Sequence, residues 1–190
     1  MTKTKTATDK KQPIVFPIKI PEGITVEVKD RYNIVVKKAD KMLSRKMANK
    51  LVSFAIENHE VIFKAVGATR TEFKVIRTFE AHLRNMFRGV SEGHTYKLKI
   101  CNSHFPINAA VNNGVFEVKN FLGEKFARLY KLKPGVSVKI QGSEITVHSN
   151  DKELAGLTAG ALEQLTKVRN KDRRVFQDGI YITIKDNKAI

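Results

Sequence analysis

The chain has 190 residues and a mass of 21.5 kDa, with 35 Lys+Arg against 19 Asp+Glu, a formal net charge of +16. That balance excludes an acidic surface and points to a polyanionic partner. A hydrophobic share of 42% excludes a disordered basic tail, and the single cysteine, Cys101, excludes an internal disulfide and a cysteine metal cluster. No apolar run approaches a membrane span, and the N-terminal MTKTKTATDKKQ has no apolar segment behind its lysines, so the expectation is an intracellular protein that is not a membrane protein. The excess charge is shared: 19 Lys+Arg against 10 Asp+Glu in residues 1–95, and 16 against 9 in residues 96–190.

In chain order, residues 1–12 form a basic arm (Lys3, Lys5, Lys10, Lys11) without apolar residues to dock it, expected to be flexible. Pro21-Glu22-Gly23 is a turn, and Ile24, Val26 and Val28 then alternate as a strand should. Ile34-Val35-Val36 makes a second short strand. Residues 50–54 and 60–66 make two more, joined by a turn at Asn58-His59. The period then changes. Thr69-x-x-Glu72 is a capping box, and Phe73, Ile76, Phe79, Leu83, Met86 and Val90 line one face of a helix of about twenty residues, ended by Gly89 and Gly93.

The second half repeats this grammar. Tyr96, Leu98 and Ile100 alternate; Val115–Val118 follows a turn at Asn112-Asn113-Gly114; residues 127–132, Val136–Ile140 and Ile145–Val147 are further strands. A helix is expected from Asn150, with Glu153 in its first turn and Leu154, Leu157, Ala161, Leu162, Leu165 and Val168 on one face. Ile180, Ile182 and Ile184 form a closing strand. The halves superimpose at an offset of 81 (Thr69 on Asn150) or 82 (Val36 on Val118). The expected fold is therefore α+β: two duplicated domains, each a small, mainly antiparallel sheet packed against one long helix, spanning 13–93 and 94–190.

Catalytic signatures are missing. His59, His82, His94, His104 and His148 show no ligand spacing, and there is no nucleophile elbow, dinucleotide fingerprint or P-loop. No enzyme activity and no cofactor are expected. Two segments look functional instead. Lys119-Asn120-Phe121-Leu122-Gly123-Glu124-Lys125 is a connector in which Gly123 would let backbone N–H groups approach a phosphate, with Lys119, Lys125 and Arg128 beside it. Lys167-Val168-Arg169-Asn170-Lys171-Asp172-Arg173-Arg174 packs five basic residues and one acid past the second helix, more charge than a helix end needs. Arg169, Arg173 and Arg174 suit bidentate phosphate contact and Lys171 a point contact. No common motif for reading bases occurs, so recognition of folded RNA by shape and phosphate is favoured, with a general RNA or DNA chaperone as the alternative.

Five motifs carry a resemblance: Ile20-Pro21-Glu22-Gly23-Ile24-Thr25-Val26; Asn85-Met86-x-x-Gly89-Val90-x-x-Gly93; His104-Phe105-Pro106-Ile107-Asn108; Val118-Lys119-Asn120-Phe121-Leu122-Gly123-Glu124-Lys125; and Val168-Arg169-Asn170-Lys171-Asp172-x-Arg174-x-Phe176-x-Asp178-Gly179-Ile180-Tyr181. In this order the chain resembles the large-subunit ribosomal protein family numbered six in bacteria and nine in eukaryotes, in its archaeal–eukaryotic branch, over about residues 18–184. The resemblance implies two duplicated α+β domains and a structural, non-catalytic role. It implies a single copy in a cytoplasmic ribonucleoprotein (assembled in the nucleolus in a eukaryote), bound to large-subunit ribosomal RNA near the sarcin–ricin loop and stalk base and touching neighbouring ribosomal proteins. The second domain would be the main RNA-binding unit. The implied RNA-contacting residues are Lys119, Asn120, Lys125, Arg169, Asn170, Lys171 and Arg174; Gly123, Arg128 and Arg173 are added from charge and position. One departure stands out: the family's glycine-proline turn after the second strand is replaced by Lys37-Lys38-Ala39-Asp40-Lys41.

Overall fold

The computed structural model describes residues 14–190 apart from Arg31, Val66, Ala68 and Arg173, so the basic arm lies outside the described residues. The chain divides into two compact units, one ending at Phe87 and the other beginning at Arg88.

The first unit opens with β1 (Ile14–Lys19), then β2 (Thr25–Asp30), β3 (Asn33–Lys38) and β4 (Lys41–Lys46), then β5 (Val52–Glu57), β6 (Glu60–Ala65) and α1 (Arg70–Ser91). β1, β6 and β5 form one antiparallel sheet and β2, β3 and β4 another. β3 is the buried centre of its sheet, with Ile34, Val35 and Val36 all inaccessible. Asn58 and His59 both take left-handed φ, +49° and +63°, as the two-residue turn between β5 and β6 requires. The substituted family turn still closes a tight hairpin: Lys38 pairs with Lys41 across Ala39 and Asp40, at the cost of a positive φ of 48° on Ala39.

α1 starts at its capping box, where Glu72 accepts from the Thr69 backbone N–H at 2.8 Å. Ile76, Phe79, Leu83, Met86 and Val90 are buried, and Phe79 meets Phe63 of β6 at 5.9 Å between ring centres. Phe73 differs from expectation: it is 42% exposed, with the Arg77 guanidinium over its ring. Gly89 does not end the helix. It lies inside α1, and the stop is Gly93, whose φ is +81° and whose N–H bonds back to the Arg88 carbonyl.

The second unit repeats the order: β7 (His94–Cys101), β8 (Asn108–Asn112), β9 (Val115–Lys119), a 3₁₀ turn (Phe121–Gly123), β10 (Arg128–Lys131), β11 (Val136–Gln141), β12 (Glu144–Ser149) and α2 (Lys152–Leu165). β13 (Gly179–Lys185) and β14 (Lys188–Ala189) close the chain. β8, β9 and β10 copy the sheet of β2, β3 and β4, and β11-β12-β7 copies β5-β6-β1, extended here by β13 and β14. The duplication expected from the sequence is therefore realised strand for strand.

α2 corrects two expectations. Its N-cap is Asp151, not Asn150; the Asp151 carboxylate accepts from the Glu153 N–H at 2.9 Å. The caps Thr69 and Asp151 then stand 82 apart, the same offset as Val36 and Val118. The buried face is Ala155, Thr158, Ala159 and Leu162, while Leu157 is 51% exposed. Small residues bring this helix close to its sheet: a Cβ on Gly156 would stand 3.1 Å from the Tyr96 hydroxyl. The core of the unit joins α2 to Leu98, Ile145, Val147 and Ile180 of the large sheet and to Phe116, Val118 and Phe121 of the small one. Cys101 ends β7 half-buried.

Candidate nucleic-acid interface

Both basic segments lie in the second unit, and both are tied to the loop between β7 and β8. That loop holds the His104-Phe105-Pro106 motif. Asp178, fully buried just before β13, accepts the backbone N–H groups of Ser103 at 2.5 Å and His104 at 3.3 Å, and its carboxylate also stands 3.3 Å from His104 Nδ1. Burial alone would push the Asp178 carboxyl up, but these bonds and the nearby imidazole outweigh it and hold its pKa below the ordinary value. The His104 ring stacks on Phe176 at 4.8 Å, Phe105 packs over Gly123, and the Pro106 carbonyl accepts from the Asn120 side-chain amide at 3.0 Å. Residues 102–107 thus bridge the two segments, which are far apart in sequence.

The connector at 119–128 is a rigid excursion between β9 and β10. Asn120, Leu122 and Gly123 take φ of +58°, +50° and +77°, and Phe121 between them is buried as an anchor. Gly123 answers a backbone need, since a Cβ there would make only ordinary contact with Phe105. Lys119 is 62% exposed and pairs with Glu117 at 3.3 Å, and Lys125 is exposed. Arg128 is different. Its Nη1 donates to the Leu165 carbonyl at the end of α2 at 2.6 Å, its Nε donates to Glu124 at 2.8 Å, and its guanidinium covers the Phe121 ring at 4.3 Å. The Arg128 hydrogen bond, against a smaller opposing effect of burial, lowers the Glu124 pKa. Arg128, expected beside a bound phosphate, also ties β10 to α2 through these bonds.

The second segment leaves α2 at its C-cap, Thr166, whose hydroxyl accepts from the Ile180 N–H at 2.8 Å. Val168 is buried and pins the run, while Arg169, Asn170 and Lys171 around it are exposed. Asn170 turns the chain with φ +57°. Asp172, the one acid, builds the next turn: its carboxylate accepts the Arg174 N–H at 2.9 Å and its carbonyl accepts from Phe176 at 2.9 Å. Bonds from the Arg174 backbone, then its side chain, keep the Asp172 pKa low. Arg174 itself is 91% exposed, and Lys171 stands 4.5 Å over the Phe176 ring. A groove of about 490 Å³ beside them is lined by Glu163, Lys167, Arg174, Phe176 and Tyr181 among others. Arg173 lies outside the described residues.

Two features of the site carry no signal in the sequence. His104 and Asp178 organise the bridging loop through bonds over 70 residues of sequence. Phe126 is 88% exposed, the most exposed large hydrophobic among the described residues. Among those residues no group of His, Cys, Asp or Glu could hold a metal ion, and no helix is long and apolar enough to cross a membrane.

The second unit thus presents two basic loops, joined through residues 102–107, on an α+β scaffold whose strand order repeats that of the first. The model of the family described as ribosomal protein L6 matches residues 105–179, a span that contains both loops and the end of the segment bridging them, Phe105 to Ile107. Proteins called large ribosomal subunit protein uL6 are similar along nearly the whole chain. The one from Methanococcus vannielii is 39% identical over 91% of this chain and 94% of its own; the one from Desulfurococcus amylolyticus is 41% identical over 87% and 91%. The relative from Aeropyrum pernix is 38% identical over 89% and 93%. The chain belongs to the ribosomal protein L6 family, whose members are structural proteins and not enzymes.

Proposed function

We propose that this protein is a structural constituent of the large ribosomal subunit and binds its ribosomal RNA through the second unit. The observation that carries this reading is the joining of the two basic segments by one bridging loop. Exposed Lys119, Lys125, Arg169, Lys171 and Arg174 then belong to one rigid framework, with Asn120 and Asn170 setting the turns. Backbone turns already set in place add little ordering cost when these cations meet a phosphate array, and counterion release supplies the driving force. Arg173 shares the run, and Gly123 serves by its conformation. Recognition is by shape and phosphate, in keeping with the rigid, lysine- and arginine-bearing loops. The family resemblance supports a location near the sarcin–ricin loop and stalk base, where translational GTPases dock, beside neighbouring ribosomal proteins.

Sedimentation of a tagged copy tests this. Stoichiometric comigration with large subunits, lost when ribosomal RNA is digested, is the expected result. A protein that stays at the top of the gradient refutes the proposal and favours a free RNA chaperone.

A further inference from the structure

Phe126 sits where an apolar side chain has least reason to be. Its ring is 88% exposed, while the other phenylalanines with exposed rings, Phe73 and Phe105, are 42% and 44% exposed and each has a described contact. The segment carrying it is held at both ends. Upstream, Phe121 is buried, and the Glu124 N–H bonds to the Phe121 carbonyl at 3.0 Å. Downstream, Arg128 begins β10 and is riveted to Leu165. The side chains of Glu124 and Arg128 bond to each other, so residues 125–127 form a short arch closed at its base by an ion pair. Phe126 is at the centre of that arch, next to exposed Lys125.

We propose that Phe126 is a stacking residue for an unpaired base of ribosomal RNA; this deepens the function proposed above and rests on it. An aromatic ring offers a face that any base can cover, and a cation beside it engages the adjoining phosphate. The charge around the arch selects RNA over a protein neighbour. Its one acid, Glu124, is consumed by Arg128, and the cations Lys119 and Lys125 remain exposed on a chain of net charge +16. Closure of the arch holds the ring out before the RNA arrives, so little ordering cost remains at binding.

The chain contains no tryptophan, so Phe126→Trp introduces a single fluorescent reporter at this point. The probe is deproteinised archaeal large-subunit ribosomal RNA, with binding followed independently by filter retention. Stacking predicts that tryptophan emission is quenched in step with retention. It also predicts that Phe126→Ala weakens binding by about 5- to 100-fold with an unchanged salt slope, because no phosphate contact is lost, and that Phe126→Tyr binds as the wild type does. Full retention of the RNA by Phe126→Trp with unquenched emission overturns the stacking role and leaves the ribosomal RNA reading standing. Quenching that appears only in intact subunits also overturns it, assigning the ring to a protein neighbour. Failure of the wild-type chain to retain the RNA overturns both.

Discussion

Replacing Arg128 by methionine separates two roles that the basic connector offers it. As a phosphate ligand, Arg128 would matter for RNA and little for folding. As a rivet it should do the reverse. The charge-assisted bond to the Leu165 carbonyl, at 2.6 Å with the side chain only 25% exposed, is worth about 1.5–3 kcal/mol. The contact over Phe121 adds about 0.5–1 kcal/mol. The pair with Glu124, whose side chain is 40% exposed, adds only about 0.5 kcal/mol. Methionine keeps the apolar cover of Phe121, and water can reach part of the freed carbonyl, so the net loss should be about 2–3 kcal/mol. Urea unfolding gives the total, and amide hydrogen exchange localises it: β10 and the last turn of α2 should lose protection. The salt dependence of RNA binding should keep its slope. Unchanged stability together with a slope reduced by about one would show that Arg128 faces phosphate and would refute the rivet.

Arg169→Ala with Arg174→Ala should do the opposite, lowering the salt slope of RNA binding by about one to two while unfolding shifts by less than about 0.5 kcal/mol. Asp178→Asn should cost about 2 kcal/mol by thermal or urea unfolding, since two N–H groups and an imidazole lose their carboxylate, and should weaken RNA binding by loosening residues 102–107. Asp186 is pressed up by burial but held lower by His94, at 2.8 Å, and Lys152, at 3.1 Å, so its folded pKa lies below its reference of 3.8. A depressed carboxyl pKa contributes stability that is present above the unfolded value and lost as pH falls through the folded one; urea midpoints taken downward from pH 5 should therefore fall below about pH 4, and less steeply in Asp186→Asn. Gly93→Ala should cost about 2–4 kcal/mol in urea unfolding, because φ is +81° there and the new Cβ would overlap the His148 ring.

What was legible in the sequence was local. The Thr69–Glu72 capping box spans four residues and has its expected bonds, and the turn at Asn58-His59 follows from residue types that tolerate positive φ. Local ambiguity produced local error: Asn150 and Asp151 are both good caps, and only the geometry chooses Asp151. β4 and β8 are hard to see because neither keeps an apolar face; Lys41, Leu43 and Arg45 share one side of β4, and β8 reads NAAVN. The two basic segments were visible as composition, but the link between them was not. It depends on Asp178 reaching Ser103 and His104, and on Arg128 reaching Leu165, 37 residues away. The exposure of Phe126 is a property of the arch, and nothing in the run Glu124-Lys125-Phe126-Ala127 distinguishes a presented ring from a core one.

Photo-crosslinking of the protein in intact large subunits, followed by mass spectrometry of the RNA-linked peptides, is the most direct measurement of the central claim. RNA adducts concentrated in residues 119–126 and 167–174 are the predicted result, with residues 102–107 contributing few. Adducts confined to the first unit, with both loops clear of RNA, would contradict it.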